Sequence, residues 1–160
     1  MTGEASAVVI TCSTRAAAGV YPDRSGPLIV EALRGWGLVV GDVVVVADGP
    51  DVEGALRAAI STGPVLVVTT GGTGLTPTDG TPEATERVVD RLVPGIAEAI
   101  RAAGRGAGIP SAMLSRGVSG LAGRTLVVNL PGSTGGVRDG LTVLESVVAH
   151  ALSQIQGGDH

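Results

Sequence analysis

A glycine-rich segment at residues 69–85, TTGGTGLTPTDGTPEAT, constrains the fold of this chain more than any other part of the sequence. It follows an apolar run at residues 64–68 that is typical of a buried parallel strand. It runs into Thr81-Pro82-Glu83, which favours a helix start because a polar N-cap, an early proline and an acid are each preferred there. The sequence therefore predicts a strand, a glycine turn and a helix in direct succession.

The turn has the composition of an anion site. It contains Gly71, Gly72, Gly74 and Gly80, and Asp79 is its only charged residue. Glycines let backbone N–H groups approach a ligand closely, and the N-terminus of a nearby helix favours an anion. A carboxylate in such a loop repels phosphate unless a divalent cation lies between them. The segment, called the first glycine loop (residues 71–80), therefore predicts a site for phosphate and Mg²⁺ at the carboxyl end of a sheet.

The alternative is a tight turn that needs glycine only for its dihedral angles. Four glycines and one acid exceed what such a turn requires. Two familiar phosphate motifs are excluded, because the spacing is not GxGxxG and a P-loop needs a lysine, which this chain lacks.

Apolar and amphipathic segments alternate along the rest of the chain, which favours an α/β fold with a doubly wound, mostly parallel sheet between two helix layers. Ligands then bind at the carboxyl ends of the strands. Strands are predicted at residues 7–11, 39–47 (interrupted at 41–42), 65–69 and 124–130, and a short apolar segment lies at 109–114. Helices are predicted at residues 25–36, 51–62, 82–92, 94–105 (broken by Gly104 and Gly106) and 137–155.

Length and composition indicate one domain, at residues 1–156, with a disordered tail at 157–160. The chain is 44% hydrophobic but only 1% aromatic, so its core must be built from Val, Leu, Ile and Ala. Its net charge is −4 and its eleven basic residues are scattered arginines, which argues against nucleic-acid binding. The single Cys12 suits a reducing compartment and is expected to be a small buried thiol. With no secretory signal and no membrane-spanning apolar stretch, a soluble cytoplasmic protein is expected, not a membrane protein.

A second glycine loop (residues 131–136) follows the predicted strand at 124–130 and reads PGSTGG. Its candidate residues Pro131, Gly132 and Ser133 run into a helix N-terminus with hydroxyl groups in place, as in the first loop. One such loop is a weak signal. Two in one chain suggest a ligand with two anionic parts, or two phosphorylated ligands brought together.

Polar residues after the first two strands are further candidates. Ser13 opens a polar loop that also contains Asp23 and Ser25, although Asp23 or Ser25 could equally cap the next helix. Asp48 ends the second strand, where a turn or cap aspartate is the alternative. Because neighbouring parallel strands end on the same rim, Asp48 and Asp79 could share a metal ion.

Four segments, in order, resemble the MoaB/Mog family of molybdenum cofactor biosynthesis, which includes the G domain of gephyrin-like proteins. The resemblance covers almost the whole chain. The most specific segment is TTGGTG…D.TPEAT at residues 69–85, and it is accompanied by residues 23–27 (DRSGP), 112–116 (AMLSR) and 130–133 (LPGS).

The resemblance implies a homotrimer that binds molybdopterin and transfers AMP from Mg-ATP to its terminal phosphate, releasing pyrophosphate. Asp48 and Asp79 match the family's two essential aspartates, with a role in holding Mg²⁺. The remaining matches are a loop for phosphate and pterin groups (Gly71, Gly72, Thr73, Gly74), residues that line the site (Ser13, Asp23, Ser25, Ser115) and a nucleotide loop (Pro131, Gly132, Ser133). A separate protein is expected to insert molybdate afterwards.

The chain departs from the family pattern at three places, which bear on ligand detail more than on fold. Thr14 stands where the family often has Asp, Thr134 where a Pro is common, and residues 96–99 where a Phe-Gly-Glu-like sequence is frequent. Arg116 either contacts phosphate or forms a surface ion pair.

The family also contains members with little or no transferase activity, so the alternative function is a non-catalytic molybdopterin-binding or carrier paralogue. Retention of both aspartates favours the enzyme. A nucleotide-binding oxidoreductase is disfavoured because GxGxxG and the ribose-binding acid at its spacing are missing.

Overall fold

The computed structural model describes residues 3–159 of the chain. Strands and helices alternate through most of it, as the sequence predicts. In chain order the elements are β1 (Ser6–Cys12), α1 (Thr14–Ala17), α2 (Ser25–Gly35), β2 (Val39–Val40), β3 (Val44–Val46), α3 (Asp51–Ser61), β4 (Leu66–Thr70), α4 (Thr81–Val88), β5 (Arg91–Leu92), α5 (Pro94–Gly106), a 3₁₀ turn (Pro110–Leu114), β6 (Ser119–Ala122), β7 (Thr125–Leu130) and α6 (Thr134–Ile155).

Within the described residues, seven strands form one sheet in the order β2-β1-β4-β7-β6-β5, with β3 also paired to β1. The strands β1, β2, β3, β4 and β7 are mutually parallel where they pair. Every residue of the central strands β4 and β7 is buried, as expected when helices cover both faces of a parallel sheet. The prediction of an α/β fold with a mostly parallel sheet is confirmed.

Two apolar clusters, one on each face of the sheet, form the core. Val68 and Val128 pack with α2, α5 and α6, whereas Val67 and Val127 pack with α3 and α4. The alternation follows from the two-residue repeat of a strand. No helix in residues 3–159 combines the length and the apolar character that a membrane crossing needs.

The helix predicted at residues 82–92 is wrong in its second half. The helix α4 ends at Val88, and Val89 is extended with φ −85° and ψ 146°. Arg91 and Leu92 instead form β5, which pairs antiparallel with β6. The strand β6 was not predicted, and it is antiparallel to β7 as well, so one end of the sheet departs from the parallel pattern.

Smaller differences concern glycines and chain ends. The helix α5 continues through Gly104, which is buried against Ala112, where a Cβ would lie 2.6 Å from the alanine Cβ. The apolar segment at 109–114 contains a 3₁₀ turn. Of the predicted tail, Gly157 and Gly158 donate to the carbonyl oxygens of Gln154 and Ser153 at the end of α6. His160 lies outside the described residues, and disorder at 157–160 stays a prediction.

Candidate functional site

Two cavities open at the carboxyl edge of the parallel strands. The first, of about 340 Å³, lies between the ends of β1 and β4, the start of α2 and the second glycine loop. Its walls include the candidate residues Ser13, Asp23, Ser25 and Asp48. It therefore lies at the sheet edge where ligands of open α/β sheets bind.

The second cavity, of about 880 Å³, lies between the first glycine loop, α5, the 3₁₀ turn and the start of α6. It is lined by the candidates Gly72, Thr73, Gly74, Asp79, Ser115 and Pro131. Two lining cations, Arg101 and Arg138, were not predicted, because neither lies in a glycine loop or motif. Helical spacing in α5 and proximity to the second glycine loop were the only sequence signals for them.

Gly71, Gly132 and Ser133 line both cavities, so the two glycine loops meet at their common wall. The structure thus brings every candidate residue to one cavity or the other. Asp48 lines the first cavity and Asp79 lines the second. Their ligand roles, and the sharing of one metal ion, stay predictions.

The first glycine loop needs glycine both for its dihedral angles and for close packing. Gly71 and Gly72 have φ of 91° and 67°, in the left-handed region that favours glycine. A Cβ on Gly71 would collide with the carbonyl oxygen of Cys12. A Cβ on Gly72 would collide with the Thr81 hydroxyl and lie 3.0 Å from Asp48 Oδ1. Glycine therefore lets this backbone lie directly against a carboxylate.

Arg116 fastens the first glycine loop from outside. Its guanidinium donates to the carbonyl oxygens of Gly74 (2.9 Å) and Asp79 (3.0 Å) and forms an ion pair with Glu83. Its backbone N–H donates to the carbonyl oxygen of Thr73 at 2.8 Å. The hydrogen bond from Arg116 lowers the pKa of Glu83. Of the two predicted roles for Arg116, the structure supports the ion pair.

Asp79 sits in a turn of this loop. Its Oδ2 accepts a hydrogen bond from Thr76 N at 3.1 Å, and a Cβ on Gly74 would lie 2.8 Å from the same oxygen. Its backbone N–H donates to the carbonyl oxygen of Thr76. The carboxylate is partly exposed at the cavity wall and is thus available to a ligand.

Asp48 has one oxygen paired and one unpaired. Its Oδ2 accepts from the backbone N–H and the hydroxyl of Thr14, both at 3.3 Å. Its Oδ1 is buried with no hydrogen-bond partner, and so is the hydroxyl of Thr81. Buried polar atoms are nearly always paired, so these two oxygens, which both lie close to Gly72, are available to bind a ligand.

Cys12 lies beside these atoms. Burial raises the pKa of its thiol to about 11, with the nearby Thr81 hydroxyl lowering it and the Asp48 carboxylate raising it. The thiol is therefore protonated at neutral pH and is no nucleophile. The structure buries Cys12, as expected from the sequence.

The residues around the first cavity also have structural roles. Ser13 caps α1 by accepting from Ala16 N, and Asp23 accepts from Thr11 Oγ1 and Gly26 N. Ser25 donates to the carbonyl oxygen of Gly132 at 2.8 Å. The predicted capping role therefore applies to Asp23, whereas Ser25 instead fastens the second glycine loop.

Hydroxyl groups bind the first two carbonyl oxygens of the second glycine loop. Thr70 Oγ1 donates to the carbonyl oxygen of Pro131 at 2.7 Å, next to the Ser25 contact with Gly132. Ser133 caps α6 by accepting from Gly136 N. The amides of Thr134 and Gly135 belong to the first turn of α6, where N–H groups have no acceptor within the helix. They remain able to bind an anion.

The fold and these two cavities define an α/β protein with two glycine loops at one edge of its sheet. A family model described as a probable molybdopterin-binding domain matches residues 8–150. The chain therefore belongs to the molybdopterin-binding domain family, and the predicted resemblance to MoaB/Mog proteins is confirmed.

Relatives and solved structures agree with this assignment. A molybdenum cofactor biosynthesis bifunctional protein of Synechococcus elongatus is 42% identical over 96% of this chain, which spans only 48% of that relative's length. A molybdopterin adenylyltransferase of Helicobacter pylori is 35% identical over 93% of this chain and 86% of its own. The structure of the molybdopterin biosynthesis Mog protein from Mycobacterium ulcerans is 55% identical, with a TM-score of 0.90 over 94% of this chain and 99% of that one. The chain thus spans about half the length of the bifunctional relatives it matches.

Proposed function

We propose that this chain transfers the adenylyl group of Mg-ATP to the terminal phosphate of molybdopterin and releases pyrophosphate. Relatives named molybdopterin adenylyltransferase support the substrate and the reaction. The observation that carries the proposal is the common wall at Gly71, Gly132 and Ser133, where two cavities meet. Two ligands bound one in each cavity would have their anionic groups adjacent at this wall.

The oxygen donors of the site fit Mg²⁺. Asp48 Oδ1 and the Thr81 hydroxyl are buried and unpaired, and Mg²⁺ prefers oxygen ligands, commonly one or two carboxylates plus substrate phosphates. Within residues 3–159 no group of three or more His, Cys, Asp or Glu could hold a metal, which fits a cation shared with ATP. Asp48 and Asp79 would hold it, and when bound it would neutralise charge on the triphosphate.

The chain's own residues would act by positioning. The attacking group is a phosphate oxygen that is already anionic, so no strong general base is required. A bond forms between this oxygen and the α-phosphorus of ATP, and the bond to the pyrophosphate oxygen breaks. Amides of Gly72 to Gly74 and of the α6 N-terminus would orient the phosphates, while Ser13 and Ser115 would line the two ligand sites.

The assay is pyrophosphate release from Mg-ATP with and without molybdopterin. Release that depends on the pterin, with adenylylated molybdopterin as product, would establish the transferase. In Asp79→Asn we expect activity to fall by at least about a hundredfold while pterin binding largely survives. Asp42→Asn, at an exposed position outside both cavities, is the matched control. Tight pterin binding without release would move the protein to the non-catalytic class.

Two further parts of the proposal concern assembly. We infer a homotrimer, as in the family, which light scattering would detect as about three times the chain mass of 15.7 kDa. We also infer that the adenylylated product is handed to a protein that inserts molybdate. Co-purification or product transfer with such a protein would test this.

A further inference from the structure

Thr14 and Asp48 form a closed set of hydrogen bonds beside the first cavity, whose walls include Asp48. The Thr14 hydroxyl donates to Asp48 Oδ2 at 3.3 Å and accepts from the backbone N–H of Asp48 at 3.2 Å. The backbone N–H of Thr14 also donates to Oδ2 at 3.3 Å. These contacts join the start of α1 to the end of the β3 segment, 34 residues away in the chain.

The contacts leave the two oxygens of Asp48 in different states. Oδ2 has two donors, whereas Oδ1 is buried and unpaired beside Gly72 and the equally unpaired Thr81 hydroxyl. Rotation about the terminal bond of an aspartate is soft. The Thr14 hydroxyl, as one of the two donors to Oδ2, therefore limits exchange between the two oxygens.

The Thr14 hydroxyl has no other structural task. The first turn of α1 is already capped by Ser13, which accepts from Ala16 N at 3.2 Å. Thr14 is exposed and belongs to neither apolar cluster. Within residues 3–159 the Thr14 hydroxyl forms hydrogen bonds with Asp48 alone, which marks its role.

We propose that Thr14 is a positioning residue, which holds Asp48 Oδ2 so that Oδ1, together with the Thr81 hydroxyl, faces the ligand in one fixed orientation. The proposal rests on the proposed function, because it assumes that Asp48 acts on a cation or phosphate bound there. A neutral donor at this position fixes the carboxylate without adding a second charge beside it.

The experiment compares Thr14→Val, which keeps the shape and removes the hydroxyl, with Thr14→Ser, which keeps the hydroxyl. The first readout is Mn²⁺ affinity in the presence of a non-hydrolysable ATP analogue, measured by electron paramagnetic resonance without turnover. The second is the Mg²⁺ concentration for half-maximal pyrophosphate release. We expect Thr14→Val to weaken metal affinity by about tenfold, the loss of one hydrogen bond to a charged group, and Thr14→Ser by less than about twofold.

The controls separate this inference from the proposed function. Thr62→Val removes a hydroxyl that bonds Ala59 at the far end of α3, and we expect both readouts to stay unchanged.

Asp48→Asn should lose metal affinity at least as strongly as Thr14→Val. If Asp48→Asn loses affinity and Thr14→Val does not, the positioning role is wrong and the proposed function stands. If Asp48→Asn loses neither affinity nor activity, the role of Asp48 in the proposed function is wrong, and the inference fails with it. Thr14→Ala is the second variant should Thr14→Val fail to fold.

Discussion

The two glycine loops begin alike, each at the carboxyl end of a buried central strand, but different partners hold their carbonyl groups. In the first loop a single guanidinium, that of Arg116, binds the carbonyl oxygens of Gly74 and Asp79. In the second loop the hydroxyls of Thr70 and Ser25 bind those of Pro131 and Gly132. Both arrangements occupy carbonyl oxygens, which would otherwise repel an anion.

The two loops also differ in the charges that they bring to the site. The first loop has Asp79 in its turn and lies against the unpaired oxygen of Asp48, so it brings acids to the site. The second loop has no acid, and it ends at the positive N-terminus of α6. This difference supports the proposal that the first loop binds a cation shared with phosphate and that the second binds phosphate alone.

The largest effect is expected from Gly71→Ala in the first loop. The substitution forces a side chain to adopt φ 91° and to collide with the Cys12 carbonyl oxygen. We expect a loss of at least about 3 kcal/mol of unfolding free energy, from left-handed strain and overpacking together. Urea denaturation measures it.

Gly63→Ala is the control, because Gly63 has a similar φ of 76° but open space around a Cβ. It should lose only about 1–2 kcal/mol, the left-handed strain alone. Equal losses in the two variants would show that the close approach to Cys12 adds nothing.

Arg116→Gln tests the guanidinium that fastens the first loop. It removes the bonds to two carbonyl oxygens and the ion pair with Glu83. We expect a loss of about 2 kcal/mol in unfolding free energy, measured by denaturation, and a raised KM for the ligand of the second cavity. Arg57→Gln, whose side chain is 56% exposed in its pair with Glu53, should lose less than about 0.5 kcal/mol. A similar small loss in Arg116→Gln would contradict the fastening role.

The sequence predicts the parallel part of the fold and the site edge because both carry strong local signals. The strands β1, β4 and β7 are apolar runs, and glycines with polar residues follow β4 and β7 directly. The antiparallel edge carries no such signal. Arg91 and Leu92 continue the pattern of a helix, and β6 reads Ser-Gly-Leu-Ala, with no β-branched residue.

The strands β5 and β6 form because they pair with each other in the folded chain, not because of a local sequence signal. Gly120 lies so close to the Arg91 carbonyl oxygen that a Cβ would come within 2.7 Å, a contact that only the folded chain reveals. The same holds for the site. Sequence motifs single out Asp48 and Asp79, but the contact between Thr14 and Asp48 joins residues far apart in the chain, and so do the bonds of Arg116.

Ser25→Ala and Thr70→Val test the hydroxyls that hold the second loop. Each removes one hydrogen bond to a carbonyl oxygen of that loop, so we expect about 1 kcal/mol from each in unfolding free energy. The KM for the nucleotide should rise in both, with that for the pterin less affected. Thr142→Val is the control, because it removes only an exposed hydroxyl bond within α6. Thr85→Val would be a poor control, because Asn129 also bonds the Thr85 hydroxyl. A shift in the pterin KM alone would show that the two loops exchange the assigned ligands.

Glu83→Gln is expected to have the smallest effect, and its pH dependence gives the test. The hydrogen bond from Arg116 lowers the pKa of Glu83 in the folded protein below its ordinary value of 4.5. The stability from this pair is therefore fully present above that ordinary value, and it is lost as the pH falls through the lowered folded value. Because the Glu83 side chain is 48% exposed, we expect less than about 0.5 kcal/mol at pH 7. Denaturation of Glu83→Gln and the unsubstituted protein should differ at pH 7, and the difference should shrink as the pH falls through the lowered folded value. In the Arg116→Gln background the same substitution should change stability less, because the Arg116 hydrogen bond is the largest cause that lowers the pKa of Glu83, ahead of its own backbone N–H and Arg87. An undiminished difference there would mean that Glu83 stabilises the fold mainly through another partner.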